Sequence, residues 1–131
     1  MRRFLFALAV LRLSLTGVVG QDSPPDCRER YRKELEANPK SSLAHFRLAE
    51  CFFQVKDRVG AVNEFREALN GDLQPSWIEA WSHVNRVKIF DATGQRQRAL
   101  NEYRMAKDTK DDTWGAQEEV AKYQQSPYRE R

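Results

Sequence analysis

His45 and His83 are the two histidines of this chain. A histidine could act as a general base or a metal ligand, but either role needs carboxylates, thiols or a nucleophile beside it. No HExxH, no GxSxG and no Gly-rich phosphate loop accompanies them. Cys27 and Cys51 lack the close spacing of a four-ligand zinc site. Asp111-Asp112 is an acidic pair in a predicted loop, where turn or helix-cap service outweighs metal binding. The residue types therefore predict no enzyme, no metal site and no cofactor.

Charge narrows the partners further. The 131 residues hold 22 Lys+Arg and 19 Asp+Glu, a net charge of +3 with a pI near 9.0. Arg2, Arg3 and Arg12 lie in the segment from Met1 to Gly20, which contains no acid. Beyond it the remaining basic side chains equal the acidic ones in number. Arg96, Arg98, Arg104 and Lys107 tint one segment basic, but Glu102 and Asp108 are interleaved with them. Without a net positive field there is no counterion-release energy to gain, so no nucleic-acid partner is expected.

The segment 1–20 is read as a secretory signal. Met1-Arg2-Arg3 is a basic start, Phe4 to Leu11 is apolar, and Val18-Val19-Gly20 ends the segment on small or short residues. Residues 21–25, Gln-Asp-Ser-Pro-Pro, form a polar linker. The alternative is an uncleaved membrane anchor, although Arg12 interrupts a stretch already shorter than the roughly 20 apolar residues a spanning helix needs. The chain is thus expected to be exported, periplasmic or secreted, with no stable membrane insertion once the signal is cleaved. In that oxidising setting Cys27 and Cys51 could pair, but the ordinary reading is two small apolar thiols on packed helices.

The elements that must position any site come from an internal period. Cys27, Tyr31 and Glu34 recur at a spacing of 34 as Ala61, Phe65 and Ala68, and these recur at a spacing of 38 as Ala99, Tyr103 and Ala106. Ala49 and Phe52 likewise recur at 38 as Val87 and Phe90. Within each unit the apolar spacing is helical: Leu48, Ala49, Phe52 and Val55 share a face, as do Val59, Val62, Phe65 and Leu69. Asn38-Pro39, Asn70-Gly71 and Gly94 are helix stops, and Ser76 with Glu79 predicts a capping box. A period of this length means stacked helical units.

His45-x-x-Leu48-Ala49-x-x-Phe52 followed by Ala61-x-x-x-Phe65-x-x-Ala68 resembles the tetratricopeptide repeat. Under that resemblance His45 and His83 stand at equivalent repeat positions and replace the usual aromatic. The implied fold is an all-α superhelix of about six antiparallel helices over residues 26–125: a half repeat, two repeats and a capping helix. Residues 126–131 are expected as a flexible tail. Arg86-Val87 departs from the pattern's Leu-plus-small pair, so Arg86 must reach solvent or find a carboxylate, and the second repeat is expected to be the weaker.

In this family the first helix of each repeat lines a concave face that docks an extended peptide or partner helix. Carried over, the lining positions are Leu43, Phe46, Arg47, Glu50, Phe53 and Gln54, then Trp81, Val84, Asn85, Lys88 and Asp91, with Glu118, Glu119 and Lys122 from the cap. Whether the aromatic stripe forms a groove or packs as core stays open at this level. The chaperone-tail clamp known in the family is not expected: Phe46, Glu50, Gly115 and Glu119 stand at its places, and Asn85 alone matches. The function implied is a non-catalytic adaptor for a protein or peptide. A self-associating structural module and an accessory subunit of an exported enzyme are the alternatives. The second repeat looks like repeats common in exported bacterial proteins.

Overall fold

The computed structural model describes residues 26–131. The signal-segment reading of residues 1–20 and the linker at 21–25 lie outside them. Six α-helices follow in order: α1 Cys27–Ala37, α2 Ser42–Gln54, α3 Arg58–Leu69, α4 Trp77–Ala92, α5 Arg96–Asp108 and α6 Ala116–Gln125, the last preceded by a 3-10 turn at Thr113–Gly115. The described residues contain no strand, so the fold is all-α. Successive helices pack as neighbours, and α4 also touches α2 and α6, forming an inner row.

Small residues permit the close approach. Ala49, Ala61, Ala68, Ala80 and Ala99 have no exposed surface, and Phe65 and Phe90 fill the seams between them. One core cluster lies around Phe46, Phe52 and Phe65 and another around Val84, Phe90 and Val120, with Val62 and Trp81 packed against both. The first apolar face runs out at its ends. Val55 and Val59 are exposed, because α2 stops at Gln54 and α3 begins at Arg58.

The helix ends use several devices. Ser41 accepts from the Ala44 N–H at 3.1 Å and Asp57 from the Gly60 N–H at 2.9 Å, both as N-caps. The α3–α4 loop then returns to α2: the Asp72 carboxylate accepts the N–H groups of Gln74 and Ser42, which hold its pKa below the usual carboxylate range. Any side chain at Gly71 would run into the Ser42 hydroxyl and the Lys40 carbonyl, so glycine is required by close approach. Gly94, at φ +72, closes α4 in the left-handed region.

Two expectations need correction here. Ser76 makes no capping hydrogen bond, because it already has helical dihedrals (φ −57, ψ −29) and its oxygen cannot reach forward; the Pro75 carbonyl accepts the Ile78 N–H instead. Cys27 and Cys51 are joined as a disulfide, not held as separate thiols. Helix α1 has no fully buried residue, so Cys27 has no packed interior to occupy, and its Cα lies 6.1 Å from that of Cys51, within bridging reach.

Candidate groove on the inner helix row

Helices α2 and α4 and the 3-10 turn enclose an open groove of about 330 Å³, lined by Phe46, Arg47, Glu50, Trp77, Trp81, Asn85 and Trp114. Phe46 is its floor rather than its wall. At 3 % exposure it meets Phe65 and Trp77 edge-on, with ring centroids 5.3 and 5.1 Å away. The Arg47 guanidinium lies over Phe46 and Trp77 and donates to Glu50 at 2.8 Å, so the rim charges are mutually satisfied.

Trp114 forms the outer wall. Its ring tilts against Trp77 at 4.9 Å, yet 70 % of the residue is exposed. Its backbone sits at φ +54, followed by Gly115 at φ +74, and that region costs a bulky residue about 1–3 kcal/mol. The turn is tied down from within the groove, because the Trp81 indole N–H donates to the Thr113 carbonyl at 2.9 Å. Gln117 adds hydrogen bonds to the Ala106 and Asp111 carbonyls, fixing the start of α6.

The groove continues along α2. Phe53 and Gln54 join Glu50, Phe65 and Asn85 in a hollow of about 230 Å³, and Gln54 and Glu50 also line one of about 220 Å³ beside the disulfide and Tyr31. Glu50 is common to all three spaces. Beyond Trp114, Glu118, Glu119 and Lys122 border a wider hollow of about 550 Å³ on α6.

Of the lining positions read from the sequence, Arg47, Glu50, Phe53, Gln54, Trp81 and Asn85 are brought together. Four positions are placed differently. Val84 is fully buried in the second core cluster, because α5 and α6 close over that side of α4. Phe46 belongs to the groove and the core at once, flooring the first while packing in the second. Leu43 is half-open at the start of α2 and lines none of these spaces. The Asp91 side chain has no exposed surface: Arg96 donates to both its oxygens at 2.9 Å and the Tyr128 N–H donates to it at 2.8 Å.

Lys88 is mostly enclosed too. Its ammonium is 3.2 Å from Glu119 and within 5.9 Å of the Trp81, Tyr123 and Tyr128 ring centroids. Burial alone would raise the Glu119 carboxyl, but the Tyr123 hydroxyl, Lys122 and Lys88 outweigh it and hold it at about 2. Burial and that same carboxylate push the Tyr123 hydroxyl up.

Sequence reading missed Trp77 and Trp114 as groove residues. Trp77 falls on the core stripe of α4, and only the three-dimensional turn shows its second edge facing the groove. An aromatic directly before Gly115, at the start of a capping helix, was the available signal for Trp114. Behind the groove the histidines pair with the second helices: His45 Nδ1 with Glu64 at 2.7 Å and His83 Nδ1 with Glu102 at 2.6 Å. Among the described residues no three His, Cys, Asp or Glu side chains converge as metal ligands, and no helix is long and apolar enough to cross a membrane.

Comparisons with family models, with curated proteins and with solved structures find no match to this chain.

Proposed function

We propose that this chain is a non-catalytic, exported adaptor of tetratricopeptide type, and that its inner helix row holds an extended segment or helix of a partner protein. Trp114 carries the reading. A tryptophan 70 % exposed and held at positive φ keeps its ring on Trp77 above an aromatic floor, at a backbone cost that its packing alone does little to offset. Exposed aromatics over a concave apolar patch with a polar rim are the anatomy of a peptide groove. Arg47, Glu50 and Asn85 supply that rim. The disulfide supports export, since such bonds persist in oxidising compartments.

The test is affinity capture from an envelope or secreted fraction with the unmodified chain and with Trp114→Ser. An exposed side chain contributes little to stability, so the variant should melt within a few degrees of the unmodified chain. A partner retained by the first and lost by the second is the expected result. Recovery of only the chain itself, or the same partners with both, overturns the adaptor reading.

A further inference from the structure

Residues 126–131, expected as a flexible tail, instead fold back along the lower end of the inner row. After α6 the chain turns extended at Ser126 (φ −136, ψ 121). Arg96 grips the exit by donating to the Gln124 carbonyl at 2.8 Å. The Tyr128 N–H then donates to Asp91 at 2.8 Å, and the Tyr128 ring stands edge-on to Tyr123 at 5.3 Å with the Lys88 ammonium 5.8 Å from its centroid. Glu130 pairs with Arg58 at the α2–α3 corner. A main-chain hydrogen bond, an aromatic seat and an ion pair two positions further on are how a sheetless groove reads an extended peptide.

We propose that this end of the inner row is a binding site for an extended segment of a partner protein, carrying a tyrosine followed two positions later by an acidic residue. Residues 126–131 fill that site in cis until the partner segment displaces them. The receiving groups do not depend on the tail. Asp91 and Lys88 stand on α4, Tyr123 on α6 and Arg58 at the start of α3, and Arg96 holds the Asp91 carboxylate in place from α5. The cis occupant also fits incompletely. Glu130 engages one terminal nitrogen of Arg58, while the Arg58 Nε is buried with no partner. A carboxylate meeting the guanidinium through both nitrogens would satisfy it, and bidentate pairs are the stronger kind. Tethering gives the tail a local concentration on the order of millimolar, which a free segment must exceed.

The inference rests on the inner row being a peptide-binding face, but it concerns Tyr128, Asp91 and Arg58 rather than the Trp114 groove. The probe is a labelled hexapeptide of residues 126–131, Ser-Pro-Tyr-Arg-Glu-Arg. It is titrated into the full chain and into the full chain carrying Tyr128→Ser and Glu130→Ser. The opened chain should bind the peptide at least about tenfold more tightly than the unmodified chain. Adding Arg58→Ser should remove most of that gain. No binding to a folded opened chain, or equal binding to both chains, overturns the proposal while leaving partner capture through Trp114 intact. Should the opened chain fail to fold, millimolar peptide is added to the unmodified chain and the Tyr128 and Asp91 amide resonances are followed. Their displacement supports the site and their constancy overturns it. A dimer of the unmodified chain that the peptide dissociates would assign the site to a second copy and overturn the partner reading.

Discussion

The two helix pairs α2–α3 and α4–α5 solve one problem with different amounts of charge. Each places a histidine on its first helix against a glutamate at the equivalent place on its second. In the first pair the site is partly open, and the second His45 nitrogen donates to the Pro39 carbonyl at 3.0 Å. In the second pair Glu102 is almost wholly buried and serves two partners, His83 at 2.6 Å and the Arg86 guanidinium at 2.7 Å. Arg86 stands where the tetratricopeptide resemblance implies a leucine, and the carboxylate it meets is the one His83 also uses. The arginine shares the carboxylate of an existing polar pair, and its Nε stays buried without a partner; the Ser82 hydroxyl on the same helix is likewise buried and unpartnered.

The largest effect that could break this comparison is at Glu102. Glu102→Ala strands two buried basic groups and should cost about 3–5 kcal/mol. Glu64→Ala, at the open pair, should cost about 1 kcal/mol. Urea denaturation of both variants decides it, and equal losses would remove the distinction between the two sites. Replacing Glu102 and Arg86 together by leucine should restore most of the loss, because the penalty lies in unpaired burial rather than in the absence of the ion pair.

Next in size is the disulfide. Cys27→Ser with Cys51→Ser should cost about 3 kcal/mol, the usual range for a closed loop of this length. Hydrogen exchange should place the loss in α1 and α2, leaving α4 and α5 protected. Uniform loss across both pairs would mean that the array opens as one unit.

Acid should weaken the second half through two of its carboxyls. Burial raises the Glu102 carboxyl, and hydrogen bonds from His83 and Arg86 overcome that and hold it below its ordinary 4.5. Glu119 is held at about 2. A carboxyl lowered in the folded state contributes stability above its unfolded pKa and loses it as pH falls toward the folded one. Stability should therefore decline from about pH 5 downward toward about pH 2, and Glu119→Gln should flatten the lower part of that decline in acid titrations followed by circular dichroism. The smallest effect is at Ser82. Ser82→Ala removes a buried hydroxyl with no partner and should be neutral or stabilising by less than about 1 kcal/mol, read as a slight rise in melting temperature.

The helices were legible because the repeat spacing acts on every turn of every helix. Buried Ala49, Ala61 and Ala68 and the left-handed Gly94 are local requirements that residue type alone announces. That Arg86 must reach solvent or find a carboxylate was legible too, but not which of the two, nor that Glu102 on the following helix would meet it. What escaped depends on single long-range meetings. Ser76 has the residue type of a cap, yet the chain leaving Pro75 gives it helical dihedrals. Asp91 has the position of a groove residue, yet Arg96 and the returning Tyr128 enclose it. Helical periodicity assigns a residue to a face; it does not say whether another chain segment covers that face. Trp77 and Trp114 illustrate the limit, since their contact depends on a 3-10 turn that no repeat spacing encodes.

The bond between Cys27 and Cys51 makes the two ends of the array behave differently after they open. In a stack whose units touch only neighbours, loosening begins at the termini. At the N-terminal end α1 can unwind, but the bond from Cys27 to Cys51 keeps its first residue against α2. At the other end, α6 and residues 126–131 are held by packing, hydrogen bonds and ion pairs alone. One end of the array is cross-linked and the other rests on reversible contacts, so the two ends differ in what must break before they open.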